Sequence, residues 1–230
     1  MIAQILRETI AIVDDEQDLA TVTGWEVEAA GFESFIVKDF FTEVDVLASH
    51  IEKNAKGALC DHRLANYGRT NFSGATLVAE LYDRKIPSIL ITQYTEIDAN
   101  VSIRKSRRKI PVLLSRDEAN AATIKKGIED CVLELDGKVP ITRIPHRTLL
   151  NITHITNESK EKVIDVIVPS WNPHKAVRLP ASLIPQELHS ELVVDRWLFA
   201  DVNTGAEKSD DLYFERFELT PEPDEDDGLA

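Results

Sequence analysis

The stretch Thr9–Asp15, with the sequence TIAIVDD, decides the fold of the first part of the chain. Its apolar run is short and uninterrupted, which is typical of a strand buried on both faces of a sheet. After the two acids, Glu16–Ala30 carries apolar residues at helical spacing, and Gly31 follows as a residue that commonly ends a helix. The stretch therefore predicts a β-strand and then a helix, with Asp14 and Asp15 at the carboxyl end of the strand.

The same alternation continues to residue 135. We predict further strands at Phe32–Val37, Ala58–Cys60, Pro87–Thr92 and Ile110–Ser115, and helices at Phe40–Lys53, Gly74–Lys85, Glu96–Ser106 and Ala119–Leu135. Apolar strands that alternate with helices indicate a parallel sheet covered on both faces. Because crossovers between parallel strands are right-handed, we expect an α/β fold with a doubly wound, flavodoxin-like sheet of five parallel strands.

From Asp136 the pattern changes to β-rich runs interrupted by prolines. The runs that read as strands are Thr148–Ile155, Lys162–Val168, Arg196–Val202 and Leu212–Leu219, and Asn203-Thr204-Gly205 is a turn signal between the last two. We therefore expect an α/β domain over residues 1–135, a linker over 136–146, a smaller β-rich domain of barrel or sandwich type over 147–220, and an acidic disordered tail over 221–230.

Polar residues end several of the predicted parallel strands. In doubly wound sheets the ligand site lies beyond the carboxyl ends of the strands. The residues found there are Asp14, Asp15, Asp61, Thr92 and Arg116. Gathered carboxylates repel one another unless a cation is present, and Mg²⁺ suits a site with a few carboxylates, a carbonyl and waters. One carboxylate could then act as a nucleophile toward a phosphoryl group, with the metal and a nearby cation offsetting its charge.

A purely structural interpretation of the same acids stays open. Asp14 and Asp15 could cap the helix that follows them, which is a common duty of aspartate, and Asp61 could be a turn residue. We favour the site for metal and phosphoryl chemistry because acids, a hydroxyl and a cation all fall at strand ends.

With these residues in view, the chain resembles the receiver domain of response regulators in two-component phosphorelay signalling, over about residues 8–135. The segments that carry the resemblance are Ile12–Glu16, Leu59–Leu64, Phe72–Gly74, Ile89–Thr92 and Val112–Arg116. The resemblance implies a protein that catalyses at most its own phosphorylation and dephosphorylation. It also implies a histidine kinase or a phosphotransfer protein as the donor.

The resemblance assigns a role to each matching residue. Asp61 would be the phosphoacceptor, and Thr92 the hydroxyl that moves to bind the phosphoryl group. Asp14, Asp15 and Asp61 would hold Mg²⁺ together with the backbone carbonyl of Arg63.

The chain also departs from the pattern of the family. Arg116 stands where the family has a nearly fixed lysine, and Asp117 follows it instead of proline. Leu113 replaces an aromatic residue that normally rotates with Thr92, and Gln93 replaces a small residue beside the phosphoryl pocket. Arginine keeps the charge but is larger and presents a planar fork, so the exchange is not conservative.

Composition limits the partners. The formal charge is −14, and both domains are acidic, which argues against binding to nucleic acid or to an anionic membrane. The exception is Arg104–Lys109, which could be a solvated helix end or a docking patch for an acidic partner. No apolar run is long enough to span a membrane and no secretory signal is visible, so we expect a cytoplasmic protein.

Two functions follow as hypotheses. The first is a response regulator that is phosphorylated on Asp61 and signals to an unidentified protein partner through a C-terminal domain that does not bind DNA. The second is a degenerate receiver that acts as a scaffold independent of phosphorylation, which Arg116, Leu113 and Gln93 favour. Binding of nucleic-acid bases by aromatic residues of the C-terminal domain is a weaker possibility, because their alternating spacing is typical of core packing.

Overall fold

The computed structural model describes residues 8–64, 70–93, 99–158 and 161–221, and the chain divides into two units, Met1–Pro140 and Ile141–Ala230. The strands of the first unit are Thr9–Val13 (β1), Glu33–Ile36 (β2), Gly57–Asp61 (β3), Ser88–Thr92 (β4) and Val112–Ser115 (β5). They lie in the order β2-β1-β3-β4-β5, and every neighbouring pair is parallel. This is the flavodoxin-like order, so the predicted doubly wound sheet is confirmed.

Among the described residues, four α-helices cover the two faces of this sheet. They are Gln17–Ala29 (α1), Val44–Asn54 (α2), Gly74–Asp83 (α3) and Ala121–Leu135 (α4). Apolar residues of α2 and α3 form one core with the sheet, and those of α1 and α4 form the other. Within the described residues, no helix is long and apolar enough to cross a membrane.

The segment between β4 and β5 differs from the helix predicted at Glu96–Ser106. Residues 96–98 lie outside the described residues, and the chain then forms a π-helical turn at Ala99–Ile103 and a 3-10 helix at Arg104–Lys109. The spacing of the side chains predicts that this segment is helical, but it does not distinguish among the hydrogen-bond patterns of α, π and 3-10 helices.

Most basic side chains of the stretch Arg104–Lys109 are buried or form ion pairs within the first unit. Arg104 and Arg107 are buried, with relative exposures of 1% and 3%. Arg108 Nη1 lies 3.5 Å from Oε1 of the buried Glu134, and Lys109 Nζ lies 2.5 Å from Asp83 Oδ2. Neither a solvated helix end nor a docking patch describes the whole stretch, because burial and ion pairs hold most of its cations.

The second unit is built around one antiparallel sheet. Its strands are His146–Glu158 (β6), Glu161–Val168 (β7), Asn172–Pro180 (β8), Trp197–Val202 (β9) and Phe214–Leu219 (β10), in the order β10-β9-β6-β7-β8. In the part of this unit that the structure describes, there is one open sheet with β8 and β10 at its edges, so the expected barrel or sandwich is wrong. The predicted β-rich character and the pairing of the last two strands are confirmed.

A buried amide organises the turn between β9 and β10. Asn203 is fully buried, and its Nδ2 donates hydrogen bonds of 3.0 Å to the carbonyl oxygens of Thr142 and Asp211. Its Oδ1 accepts the backbone N–H of Tyr213 at 2.7 Å. The Tyr213 hydroxyl in turn donates to the Arg143 carbonyl at 2.6 Å. These bonds fix the start of the second unit to its last hairpin, because each buried polar group needs a partner.

Candidate functional site

The carboxyl ends of the parallel strands open onto one polar cleft of about 150 Å³. The described residues that line it are Asp14, Asp15, Glu16, Leu19, Asp61, Arg63, Gln93 and Arg116. The three aspartates of the predicted site, Arg63 and Arg116 are therefore brought together. They lie at the carboxyl ends of β1, β3 and β5, and the parallel arrangement of the sheet places these ends at one edge.

Asp61 is the last residue of β3, and its side chain is only 10% exposed. One carboxylate oxygen, Oδ2, accepts the backbone N–H of Arg63 at 2.7 Å. The other, Oδ1, accepts a hydrogen bond from Nη2 of Arg116. Both oxygens are thus held by donors, which fixes the carboxylate at the wall of the cleft.

Arg116 lies directly after β5, at the start of a 3-10 turn that ends at Glu118. Its Nη2 contacts Asp61 and also lies 2.9 Å from Asp14 Oδ2, so one terminal nitrogen bridges two carboxylates. Nη1 donates to the hydroxyl of Thr23 on α1 at 3.4 Å. The guanidinium is therefore positioned from three directions and neutralises part of the negative charge of the cleft.

The environment shifts the acidity of Asp61 upward. Burial raises the pKa of this carboxyl to about 6, and the charges of Asp14 and Asp15 act in the same direction. The backbone N–H of Arg63 and the guanidinium of Arg116 oppose the increase in pKa. At neutral pH the carboxylate form predominates, and this is the form that can act as a nucleophile.

The donors at the cleft suit a hard cation such as Mg²⁺, since they are carboxylate oxygens. Their present arrangement is different from a metal site. Across the described residues, no group of three or more His, Cys, Asp or Glu side chains is placed to hold a metal ion. Asp14 Oδ2 and Asp61 Oδ1 contact Arg116, and Asp14 Oδ1 accepts the backbone N–H of Glu16 at 2.9 Å. The donor chemistry fits Mg²⁺, and the metal site at Asp14, Asp15, Asp61 and the Arg63 carbonyl stays a prediction.

The interpretation of Asp14 as a residue that caps α1 is correct in part. Asp14 accepts the Glu16 N–H, as a residue before a helix often does. However, Glu16 itself stands at the N-cap position of α1, and no side-chain capping bond is formed there. Asp14 thus has two contacts, one with the helix start and one with Arg116.

The expected switch depends on Thr92 and on the residues found at positions 93 and 113, and these three residues lie in different surroundings. Thr92 ends β4, opposite Ser115 of β5, and is buried with a relative exposure of 1%, so it does not line the cleft. Gln93, the next residue, is exposed and does line it. Leu113 is partly buried against the core on the α2 and α3 side of the sheet. Residues 65–69, between β3 and α3, lie outside the described residues.

Three residues near the cleft were given no role by the sequence analysis. Thr23 belonged to the helical pattern of α1, and its position on the buried face was the only signal of its contact with Arg116. Gly74 begins α3, and a Cβ atom there would lie 1.9 Å from the carbonyl oxygen of Asp61. His62 follows Asp61, is buried, and its Nε2 lies 2.8 Å from Ser102 Oγ.

Solved structures similar to the first unit include receiver domains of signalling proteins. The signal receiver domain of a modulated diguanylate cyclase from Desulfovibrio desulfuricans G20 is 19% identical, with 57% of this chain and 98% of that chain covered and a TM-score of 0.46. A response regulator receiver domain protein from Clostridium thermocellum is 14% identical, with 56% and 96% covered and a TM-score of 0.43. NtrX from Brucella abortus is 18% identical with a TM-score of 0.43, and the match covers 57% of this chain but only 29% of NtrX.

Comparisons at the level of sequence give no match. No family model matches the chain, and no curated protein matches it. The first unit has the flavodoxin-like strand order β2-β1-β3-β4-β5, and receiver domains of response regulators are among the solved structures to which its fold is similar.

Proposed function

We propose that the first unit is a receiver that accepts a phosphoryl group on Asp61. The observation that carries the proposal is that Asp61, Asp14, Asp15 and Arg116 line one cleft at the carboxyl ends of the strands. A nucleophilic carboxylate, further acids and a cation are the groups that phosphoryl transfer to an aspartate requires. The donor in this proposal is a histidine kinase or a phosphotransfer protein.

In the transfer, a carboxylate oxygen of Asp61 forms a bond to phosphorus while the bond between phosphorus and the donor's histidine nitrogen breaks. The imidazole leaves with that electron pair and takes up a proton, and Asp61 becomes an acyl phosphate. The guanidinium of Arg116 already contacts Asp61, so it can donate hydrogen bonds to the transferring oxygens. When bound at Asp14, Asp15, Asp61 and the Arg63 carbonyl, a Mg²⁺ ion would supply further positive charge next to these oxygens.

Phosphorylation would add about 1.5 to 2 negative charges to the cleft. Thr92 is the hydroxyl that we assign to the bound phosphoryl group, and its movement would have to bring it out of its present buried position. We propose that the resulting change is passed to a protein partner through the β-rich second unit, in a cytoplasmic protein with no other catalytic activity. The acidic charge of the chain supports a protein rather than a nucleic acid as that partner.

Intact-protein mass spectrometry tests the proposal. The full chain is incubated with acetyl phosphate and Mg²⁺, and we expect a mass increase of one phosphoryl group that is absent from Asp61→Asn. Asp83→Asn, a surface variant on α3, serves as the matched control and should be modified like the wild type. An unmodified wild type, or equal modification of Asp61→Asn, would contradict the assignment of Asp61.

A second candidate is a scaffold that binds its partner without phosphorylation. Arg116 contacts both Asp14 and Asp61, so a positive charge already lies beside the carboxylates that a metal ion would use. This arrangement favours the scaffold. The two candidates differ in one measurement. Partner capture by Asp61→Asn should match the wild type for the scaffold, and should no longer respond to acetyl phosphate for the receiver.

A further inference from the structure

Arg116 and a divalent cation require the same carboxylate oxygens. Nη2 of Arg116 lies 2.9 Å from Asp14 Oδ2 and contacts Asp61 Oδ1. The remaining oxygens of the two carboxylates accept the backbone N–H groups of Glu16 and Arg63. A cation that coordinated Asp14 and Asp61 through the oxygens facing the cleft would therefore meet the guanidinium.

Besides its ion pairs, a hydrogen bond to Thr23 and the turn that carries Arg116 hold the guanidinium in place. Nη1 donates to Thr23, while Nε is buried and has no hydrogen-bond partner in the described part of the chain. The turn that carries Arg116 is fixed by Glu118, whose Oε2 accepts hydrogen bonds from the backbone N–H of Ser115 at 3.1 Å and from its hydroxyl at 2.8 Å. Only 18% of the Arg116 side chain is exposed. The arginine is thus anchored through its terminal nitrogens and its own backbone.

We propose that Arg116 is a built-in counter-ion that competes with divalent cations for Asp14 and Asp61, so that metal binding requires the guanidinium to leave Asp14. The biological meaning of this competition rests on the proposed phosphoryl chemistry, but the competition itself does not. Because Nη1 is also bonded to Thr23, the guanidinium cannot leave Asp14 without disturbing that contact as well.

The charges in the cleft predict whether removal of the Arg116 guanidinium strengthens or weakens metal binding. With Arg116 present, one positive charge contacts two of the three aspartates of the cleft. Without it, Asp14 and Asp61 lose their contact with the guanidinium, and the repulsion between their carboxylates favours uptake of a metal ion. Removing the guanidinium should therefore strengthen metal binding.

Calorimetric titration of the full-length protein with Mn²⁺, and then with Mg²⁺, tests the proposal. We expect Arg116→Ala to bind the metal at least about tenfold more tightly than the wild type, since one nearby opposite charge alters carboxylate equilibria by roughly one to three powers of ten. Arg116→Gln, which keeps a polar side chain, provides the same test if the alanine variant does not fold. Adding Asp14→Asn to either variant should abolish the increase in affinity.

Lys126→Ala is the charge-matched control. Lys126 is 73% exposed and pairs with Asp130 on α4, so its removal changes the net charge without touching the cleft. Equal metal affinity in the wild type and in both Arg116 variants would overturn the proposal. So would an equal increase in Lys126→Ala, or an increase that survives Asp14→Asn. These titrations involve no phosphoryl donor, so a failure of phosphorylation and a failure of the competition are separate results.

Discussion

The Nε2 atom of His62 lies 2.8 Å from the hydroxyl oxygen of Ser102. His62 directly follows Asp61, and Ser102 belongs to the π-helical turn Ala99–Ile103 between β4 and β5. This bond links the side chain next to the proposed phosphoacceptor with the segment that joins β4 to β5. The bond therefore connects the residue that follows Asp61 with the π-helical turn.

Replacing Ser102 by alanine should destabilise the protein modestly. The variant loses the bond to the buried His62, and we expect the free energy of unfolding to fall by about 1 kcal/mol. Urea denaturation followed by circular dichroism measures the change. Ser106→Ala, a nearby serine in the following 3-10 helix, is the control. Equal stability of the two variants would show that the bond to His62 contributes nothing.

Asp61→Asn should change how stability depends on pH. Because the pKa of Asp61 rises from an ordinary 3.8 to about 6 on folding, the folded state holds a proton that the unfolded state releases between these values. The wild type therefore loses stability as pH rises from about 4 to 7, whereas Asp61→Asn does not carry this contribution. We expect the variant to be the more stable protein at pH 8 by roughly 3 kcal/mol, with the difference vanishing below pH 4.

Denaturation of both proteins across this pH range tests the prediction, with Asp130→Asn as a surface control. If the wild type is instead the more stable protein at pH 8, the ion pair with Arg116 outweighs the burial of the carboxylate.

Gly74→Ala should prevent or greatly weaken folding of the first unit. A Cβ atom at this position would lie 1.9 Å from the Asp61 carbonyl oxygen, so α3 or β3 would have to move. We expect a loss of roughly 3 kcal/mol or more in the free energy of unfolding, as is typical of overpacked buried sites. Gly24→Ala in α1 is the matched control, because its Cβ would meet neighbours no closer than 3.6 Å. That variant should be neutral or slightly stabilised, and equal losses in both would contradict the close approach.

Asn203→Ala should destabilise the second unit. The substitution leaves the carbonyl oxygens of Thr142 and Asp211 and the N–H of Tyr213 without the amide that they contact. Because the site is fully buried, we expect a loss of about 2 to 4 kcal/mol. Thermal unfolding measures it, with Thr204→Ala, the next residue of the same turn, as the control. If only Thr204→Ala lost stability, the contacts of the Asn203 amide would not be the ones that stabilise this turn.

The position of the cleft could be predicted from the sequence, because an uninterrupted apolar strand followed by an acid fixes where that acid lies in a parallel sheet. This reasoning located Asp14, Asp15 and Asp61, and the structure brings them to one cleft. The second unit was harder. Strand β8 begins and ends close to prolines, and Pro173 and Pro180 concealed it because proline is rare inside strands.

Side-chain directions could not be predicted in the same way. The sequence placed Arg116 at the strand end, but its bridge between Asp14 and Asp61 depends on the turn after β5 and on Thr23 of α1. The burial of Arg104 and Arg107 is a further example, because a run of basic residues is normally found in solvent. Such contacts arise from packing between distant segments, which periodicity does not encode.

The ion pairs of Arg108 with Glu134 and of Lys109 with Asp83 also affect how the molecule meets others in solution. With these cations neutralised locally and a formal charge of −14, the long-range field around the chain is negative. Diffusional encounter with another acidic protein is then slowed at low ionic strength, and it quickens as salt shortens the Debye length. A basic partner would show the opposite dependence, so the salt dependence of an association rate reveals the sign of the surface that docks.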